Sequence, residues 1–266
     1  MNNDYKERFA GIQRLYGKGS LEVISQMRVC VIGIGGVGSW VAEALARSGV
    51  GHITLIDYDT ISIGNTNRQL HTRVDTVNQK KSAVMIERMQ AINPVGDFTD
   101  IDDFLTDRNI MDYLSLERHY DYVVDAIDSI KFKANIIYHC RRNKIPVITI
   151  GGAGGLDDPS QIKVVDLSRT HNDALAAKVR KRLRDDFGFT RNPKRYFRVE
   201  CVFSSQQQVY PRADGHVSHE KPGIHGVSLD CNRGYGSASF VTASFGFMAV
   251  SRVIRRTLDR HQIVVK

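Results

Sequence analysis

The sequence predicts an α/β protein built on a Rossmann-like, doubly wound, mainly parallel sheet, with antiparallel strands added by its C-terminal half. Three observations carry that expectation. A short β-branched run at 28–33 feeds the spacing G-x-G-x-x-G at Gly33, Gly35 and Gly38, and a helical pattern follows. Up to residue 155, strand-length apolar runs alternate with helix-length periodic ones, the order that crossovers between parallel strands impose. After residue 156 the pattern changes, and the strict alternation at 161–166 suits an antiparallel neighbour.

In chain order, residues 4–27 read as amphipathic helix with a turn at Tyr16–Gly19. Residues 28–33 form a buried strand. Val37, Val41, Ala44, Leu45 and Ser48 recur at helical spacing, and Gly49 and Gly51 close that helix. A second strand at 52–57 ends on Asp57. The stretch 65–76 is polar and irregular. A helix over 79–93 carries Met85, Met89 and Ile92 on one stripe and stops at Pro94. A weaker strand at 98–104, a central one at 122–127 and a buried one at 146–150 follow. The helix at 131–143 between the last two is expected to turn Phe132, Ile136 and Cys140 inward. Beyond lie the strand 161–166, a strongly basic helix at 174–187, a short strand at 199–203, and a Gly/His/Pro-rich stretch, 210–236, read as a mobile loop. A final helix rich in small residues spans 237–254.

The 266 residues suffice for a substantial core and read as one domain: a helical segment at 1–27, a nucleotide-binding core at 28–155 and a substrate-side region at 156–266. The net charge of +8 and the pI near 9.3 favour an anionic partner. Cys30, Cys140, Cys201 and Cys231 are far apart with no C-x-x-C, which argues against a zinc knuckle and against a secreted disulfide scaffold. No apolar h-region opens the chain, and Ser237–Ile254 is too rich in hydroxyls to read as a membrane span. A cytoplasmic protein without membrane insertion is expected.

The glycines of the first turn, Gly33, Gly35, Gly36 and Gly38, would let backbone N–H groups approach a phosphate at a helix N-terminus, where the macrodipole favours negative charge. Asp57 is placed to accept hydrogen bonds from ribose hydroxyls. A turn that serves packing alone and a solvated strand-end carboxylate are the plainer accounts of the same residues. The glycines do not separate NAD from ATP; three further features do. Arg68 lies on a loop from the same sheet edge. Lys81 opens the next helix on the stripe of Met85, so it should point inward, while Lys80 reads as a surface lysine. A cation in a first turn opposes the macrodipole at a cost of roughly 0.3–1 kcal/mol, and a bound anion would offset that. Asp125 and Asp128 are expected to face one crevice, with Asp128 better placed for Mg²⁺ and Asp125 open to bonding loop backbone instead. An arginine, a lysine and a magnesium carboxylate around a nucleotide point to phosphoryl or nucleotidyl transfer. Hydride transfer needs none of them.

Gly33-Ile-Gly-Gly-Val-Gly-Ser39, Asp57-Tyr-Asp59, Asn65-x-Asn67-Arg68-Gln69, Lys81 and Asp128 together resemble the E1-like adenylating enzymes of the ThiF, MoeB and HesA type, over roughly residues 8–155. The resemblance implies ATP and Mg²⁺, attack by a substrate carboxylate on the α-phosphate, and a homodimer. It casts Asp57 on the ribose, Asn67, Arg68 and Lys81 on the phosphates and Asp128 on magnesium. Asp59, Asn65, Gln69 and Asp125 join the nucleotide set, and Arg68, Lys81 and Asp128 are the catalytic candidates.

Carrier-activating members hold a structural zinc through two C-x-x-C pairs. This chain has none, so no zinc is expected. Either Arg8 or Arg14 could be the arginine that such enzymes donate across their dimer. The segments Arg8–Gly17, Cys140–Pro146, Gly151–Gly155, Asp186–Gly188, Glu200–Ser204 and Thr242–Gly246 are similar to one branch, the tRNA threonylcarbamoyladenosine dehydratases, over nearly the whole chain. That branch implies ATP-dependent activation of a threonine carboxylate next to the anticodon, then ring closure with net loss of water. Alternatives are adenylation of the C-terminal glycine of a ubiquitin-like sulfur carrier, an ATP-binding adaptor without turnover and, last, a nicotinamide oxidoreductase. A sulfur-relay partner of the cysteine desulfurase kind stays open.

Charge supports an RNA substrate independently. Lys178, Arg180, Lys181, Arg182 and Arg184 crowd one helix, and Arg191, Lys194, Arg195 and Arg198 follow with Tyr196 and Phe197 among them. Such clusters bind phosphate backbone, and aromatics can stack on unpaired bases. A solvated face is the plain alternative. Arg252, Arg255, Arg256 and Arg260 read as a second basic face. Cys231 is a weak candidate for a thioester, Cys201 reads as a buried small hydrophobe, and His216, His219 and His225 read as solvated loop rather than metal ligands.

Overall fold

Strand β1 (Arg28–Ile32) lies mid-sheet because its β-branched residues are buried on both faces. In a computed structural model that describes residues 2–212, 214–220 and 235–263, it pairs in parallel with β2 (His52–Ile56) and β4 (Tyr122–Asp125). Strand β3 (Asp97–Ile101) pairs outside β2, and β5 (Val147–Ile150) outside β4. Strand β7 (Glu200–Ser204) continues the parallel set beyond β5, and β6 (Ile162–Asp166) closes the edge antiparallel to β7. The order β3-β2-β1-β4-β5-β7-β6 reverses direction at β1 and β4, and in open α/β sheets ligands bind above such a switch point.

Alternation along β1 divides the core. Val29 and Val31 face one side, with helices α4 (Gly38–Arg47), α5 (Lys81–Ile92) and α9 (Ser239–Arg260). Cys30 and Ile32 face the other, with the short α6 (Ile110–Tyr113), α7 (Ile130–Arg142) and α8 (Ala174–Asp186). The final helix extends past the expected 254, and Gly246 lets it close on α4: a Cβ there would sit 3.0 Å from Trp40 Cβ and 3.1 Å from the Val37 carbonyl.

Three details differ from expectation. The N-terminal segment is broken once more at Phe9, after α1 (Asn3–Arg8), besides turning where expected between α2 (Ala10–Tyr16) and α3 (Ser20–Ile24), with Gly17 and Gly19 at positive φ. On α7 the inward residue of the first turn is Lys133, not Phe132, which is only half-buried. In the stretch read as a loop, β8 (Tyr210–Pro211) and β9 (Val217–Ser218) pair antiparallel, turned by Asp214 and Gly215 with φ +86° at the glycine. The Asp-Gly pair was the available signal. Cys231 and His225 lie outside the described residues. Among the described residues no helix is long and apolar enough to cross a membrane.

A candidate nucleotide-binding and adenylating site

The four glycines divide by what a side chain would meet. A Cβ at Gly38 would sit 1.8 Å from the Gly33 carbonyl oxygen, and one at Gly33, whose φ is +84°, would sit 2.9 Å from Ile127. Those two are demanded by the turn itself. A Cβ at Gly35 would meet nothing nearer than Gln69 Nε2 at 3.8 Å, and one at Gly36 would make ordinary contact with Arg68 and Thr242. Packing therefore does not demand glycine at 35 and 36, where a Cβ would meet only ordinary contacts. No side chain caps the first turn of α4, and among the described residues no acceptor reaches the N–H of Gly35, Gly36 or Val37. Such a row of donors at a helix start suits a phosphate.

Asp57 closes the turn from beneath. Its Oδ2 accepts the Ile34 N–H at 2.6 Å and its Oδ1 the Asp59 N–H at 2.8 Å. Burial pushes its carboxyl above the usual range, against the pull of those N–H groups and of Lys81. Lys81 is 5 % exposed, so it does point inward, and its Nζ reaches Asp59 Oδ2 at 2.7 Å. Lys80 pairs at the surface with Asp102.

The irregular loop after β2 is pinned between two helices. Trp40 Nε1 of α4 donates to the Arg68 carbonyl at 3.0 Å, and Asn67 Nδ2 donates to the Ser237 carbonyl at 2.8 Å, just before α9. Arg68 thereby lies against Gly36, its guanidinium donating to the Gly64 carbonyl and to Asn67 Oδ1. Gln69 is buried beside Gly35 with Oε1 unpartnered among the described residues. Asn65 instead caps the short 3₁₀ turn Ile63–Asn65 by accepting the Ser62 N–H.

The two aspartates after β4 separate. Asp128 is exposed and lies near Tyr58, whose phenol pKa is raised by the charge of Asp59 foremost, then by burial and the charges of Asp57 and Asp128. Asp125 does not share that crevice. It is fully buried, pairs with Lys133 Nζ at 2.9 Å and accepts the Thr149 hydroxyl at 2.6 Å. Burial still raises its pKa. The expectation that it faces the nucleotide is corrected: Lys133, one helical turn into α7, draws it into the core. Sequence reading also missed His71, buried under the glycine turn with Nε2 2.8 Å from the Ile34 carbonyl. It sits in an aperiodic loop, where no pattern marks it.

The basic half is partly self-neutralised. On α8, Lys181 and Arg182 pair with Asp185 and Asp186, and Arg191 joins Asp185. Beside them Arg169, Arg184, Arg191 and Arg195 line a cleft of about 320 Å³, and Arg169 lies over the exposed Tyr196 at 4.5 Å. This cleft lies beyond Asp166, which pairs with Glu200 at the start of β7, so it is at the opposite end of the sheet from the glycine turn. Three arginines of the second basic face are engaged internally, Arg252 and Arg256 holding Glu200 and Arg260 lying over Tyr122, while Arg255 is exposed. Burial raises the Cys201 thiol well above its usual range, withholding a thiolate. Arg8 and Arg14 are exposed on α1 and α2.

A switch-point crevice with bare glycine donors, a buried strand-end acid, an arginine and an inward lysine defines a nucleotide-binding α/β protein equipped to act on phosphates. The chain belongs to the ThiF family, which matches residues 6–264. It is 49% identical to the tRNA threonylcarbamoyladenosine dehydratase of Escherichia coli strain K12 over 98% of this chain and 97% of that one. Identity to the enzyme so named from Haemophilus influenzae is 51%, over 97% of this chain and 96% of the other. A crystal structure of the E. coli enzyme in complex with ATP superposes with a TM-score of 0.87 at 46% identity, covering 98% of each chain. By contrast, the E. coli molybdopterin-synthase adenylyltransferase matches at 30% over only 48% of this chain.

Proposed function

We propose that the chain catalyses the ATP-dependent dehydration of N6-threonylcarbamoyladenosine in tRNA, next to the anticodon. The observation that carries this reading is the reach of the likeness, which runs through β6, α8 and α9 rather than stopping with the nucleotide half. A carboxylate is a poor electrophile. Attack of the threonine carboxylate on the α-phosphate of ATP expels pyrophosphate and leaves an acyl adenylate, and a nucleophile of the same modified base then displaces AMP. The ring closes with net loss of water.

The geometry supports a division of labour. The bare N–H groups of Gly35 and Gly36 and the uncapped start of α4 cradle phosphate oxygens, and the Gln69 Nε2 donor lies beside Gly35. Arg68 and Lys81 balance charge on the α-phosphate as it gains a fifth oxygen. Asp57 holds the turn and approaches the ribose. Asp59 keeps Lys81 in place. Asp128, at the exposed lip, is the candidate magnesium ligand; Mg²⁺ keeps most of its waters and would neutralise phosphate charge when bound. Residues 28–155 form the nucleotide core of this reading and 156–266 its substrate side.

A homodimer is part of the proposal, supported by the exposed face of α9 that presents Phe240, Phe247 and Met248. Such a dimer would bring Arg8 or Arg14 of one protomer towards its partner's nucleotide. A cytosolic location follows from a tRNA substrate. Pyrophosphate exchange tests the reading directly: it should depend on threonylcarbamoyladenosine-bearing tRNA, and exchange driven only by a carrier ending in Gly-Gly would sink it.

A further inference from the structure

Ile34 is the first residue of the glycine turn that carries a side chain, and both of its backbone polar groups are held by buried side chains from elsewhere. Its N–H donates to Asp57 Oδ2 at 2.6 Å, and its carbonyl lies 2.8 Å from His71 Nε2. A carbonyl oxygen can only accept, so Nε2 carries the hydrogen and Nδ1 bears a lone pair. That Nδ1 is buried without a partner among the described residues. The ring is 2 % exposed. Its own backbone is fixed in turn, because the Thr76 hydroxyl donates to the His71 carbonyl at 2.6 Å and accepts the Arg73 N–H at 2.9 Å.

A trans peptide is planar, with its C=O and N–H pointing in opposite directions, and the described chain contains no cis peptide. Drawing the Ile34 carbonyl down onto His71 therefore turns the next N–H, that of Gly35, away from the ring. No acceptor among the described residues takes that Gly35 hydrogen, and a Cβ at Gly35 would meet nothing nearer than Gln69 Nε2 at 3.8 Å. We propose that His71 is a positioning residue for the nucleotide: its Nε2–H clamps the Ile34 carbonyl so that the Gly35 N–H stands aimed at a phosphate oxygen before the ligand arrives. The inference deepens the ATP-dependent reading above and rests on it. Burial, with the nearby Lys81 adding to it, pushes the imidazole down to about 4 against the opposing effect of the Ile34 bond, so the neutral ring is the working form.

The test compares ligands with and without phosphate. His71→Leu removes the donor at similar volume, His71→Gln keeps a donor at the same reach, and His71→Asn holds one a bond short. For folded variants, calorimetric titration should show ATP and AMP binding weakened on the order of tenfold by His71→Leu and His71→Asn, with adenosine within threefold of wild type. His71→Gln should stay within threefold for all three ligands. Equal losses for adenosine and ATP, or no loss for either, overturn the role. So does nitrogen-15 NMR of the wild-type ring if it shows the Nδ1–H tautomer or titration above pH 6, a measurement that needs no variant to fold. Wild-type protein that binds no ATP overturns the functional reading with it; ATP bound equally by wild type and His71→Leu overturns His71 alone.

Discussion

Two aspartate–lysine pairs stand at the carboxyl ends of adjacent parts of the same sheet, and they differ in one respect. Asp125 and Lys133 are sealed: the carboxylate side chain is 0 % exposed and the lysine 2 %. In the second pair the Lys81 side chain is nearly as deep at 7 % exposure, but that of its partner Asp59 is 46 % exposed and opens on the crevice. A sealed pair has no route to a ligand, and breaking it leaves a stranded charge. A half-open pair can surrender its lysine to a phosphate at modest cost, because water takes up the carboxylate. Burial of the partner, not the residue types, separates structural from functional use.

The sharpest way to break the comparison is to remove each lysine. Lys133→Ala should cost about 3–5 kcal/mol of folding stability, since Asp125 remains buried without its cation. Joint replacement of the pair, Asp125→Leu with Lys133→Met, should recover most of that loss. Denaturant titration checks both, and a single-variant loss under 1 kcal/mol would mean that water enters the site. Lys81→Ala should leave the unfolding midpoint nearly in place while turnover falls on the order of 10²–10³, the scale for one donor that stabilises developing charge. Arg68→Ala belongs with Lys81. A loss below tenfold in folded protein would take either residue off the catalytic side.

These pairs also show how far the sequence was legible. The strands and the packing stripe of α5 followed from the period of Val29, Val31, Met85 and Met89, because burial on a regular element repeats at that element's own spacing. Arg68 packs on Gly36 and Lys81 points inward to Asp59, the placements expected from a loop on the same sheet edge and from the stripe of Met85. The sequence ranks Asp128 above Asp125 as the magnesium candidate, but that Asp125 is sealed in the core depends on Lys133, a residue outside the inward set Phe132, Ile136 and Cys140 expected on α7. His71 carries no pattern at all. Its partner, a backbone carbonyl far back in the chain, leaves no mark in composition or spacing.

Acid should act from the crevice side of the comparison. His71 is lowered from 6.5 to about 4 by burial, with Lys81 contributing. The unfolded chain therefore binds the proton more readily than the folded one between those values. Stability from this residue is complete above pH 6.5 and is lost as pH falls towards 4, on the order of 3 kcal/mol in all. A folded His71→Gln variant should lack that part of the acid limb in chemical unfolding measured across the window. Parallel limbs for variant and wild type would show that the ring is protonated, or solvated, in the native state.

The exposed pairs on α8 extend the series to its wet end, where an ion pair matters for what it hides rather than for what it holds. Lys181, Arg182 and Arg191 are occupied by Asp185 and Asp186, whereas Arg169 and Arg195 line the nearby cleft without a carboxylate partner among the described ion pairs. If that cleft meets RNA backbone, Arg195→Ala should weaken tRNA binding and reduce the magnitude of the slope of log K against log salt by about 0.7 for an unpaired strand. Asp185→Asn should do the reverse, freeing Lys181 and Arg191 and steepening the slope, with the melting temperature unchanged. ATP-dependent exchange measured with saturating tRNA should be indifferent to both, because the cleft lies at the far end of the sheet from the glycine turn. A slope that moves with neither substitution would make this face a solvated surface and shift the search for the RNA contact to the rim of the crevice itself.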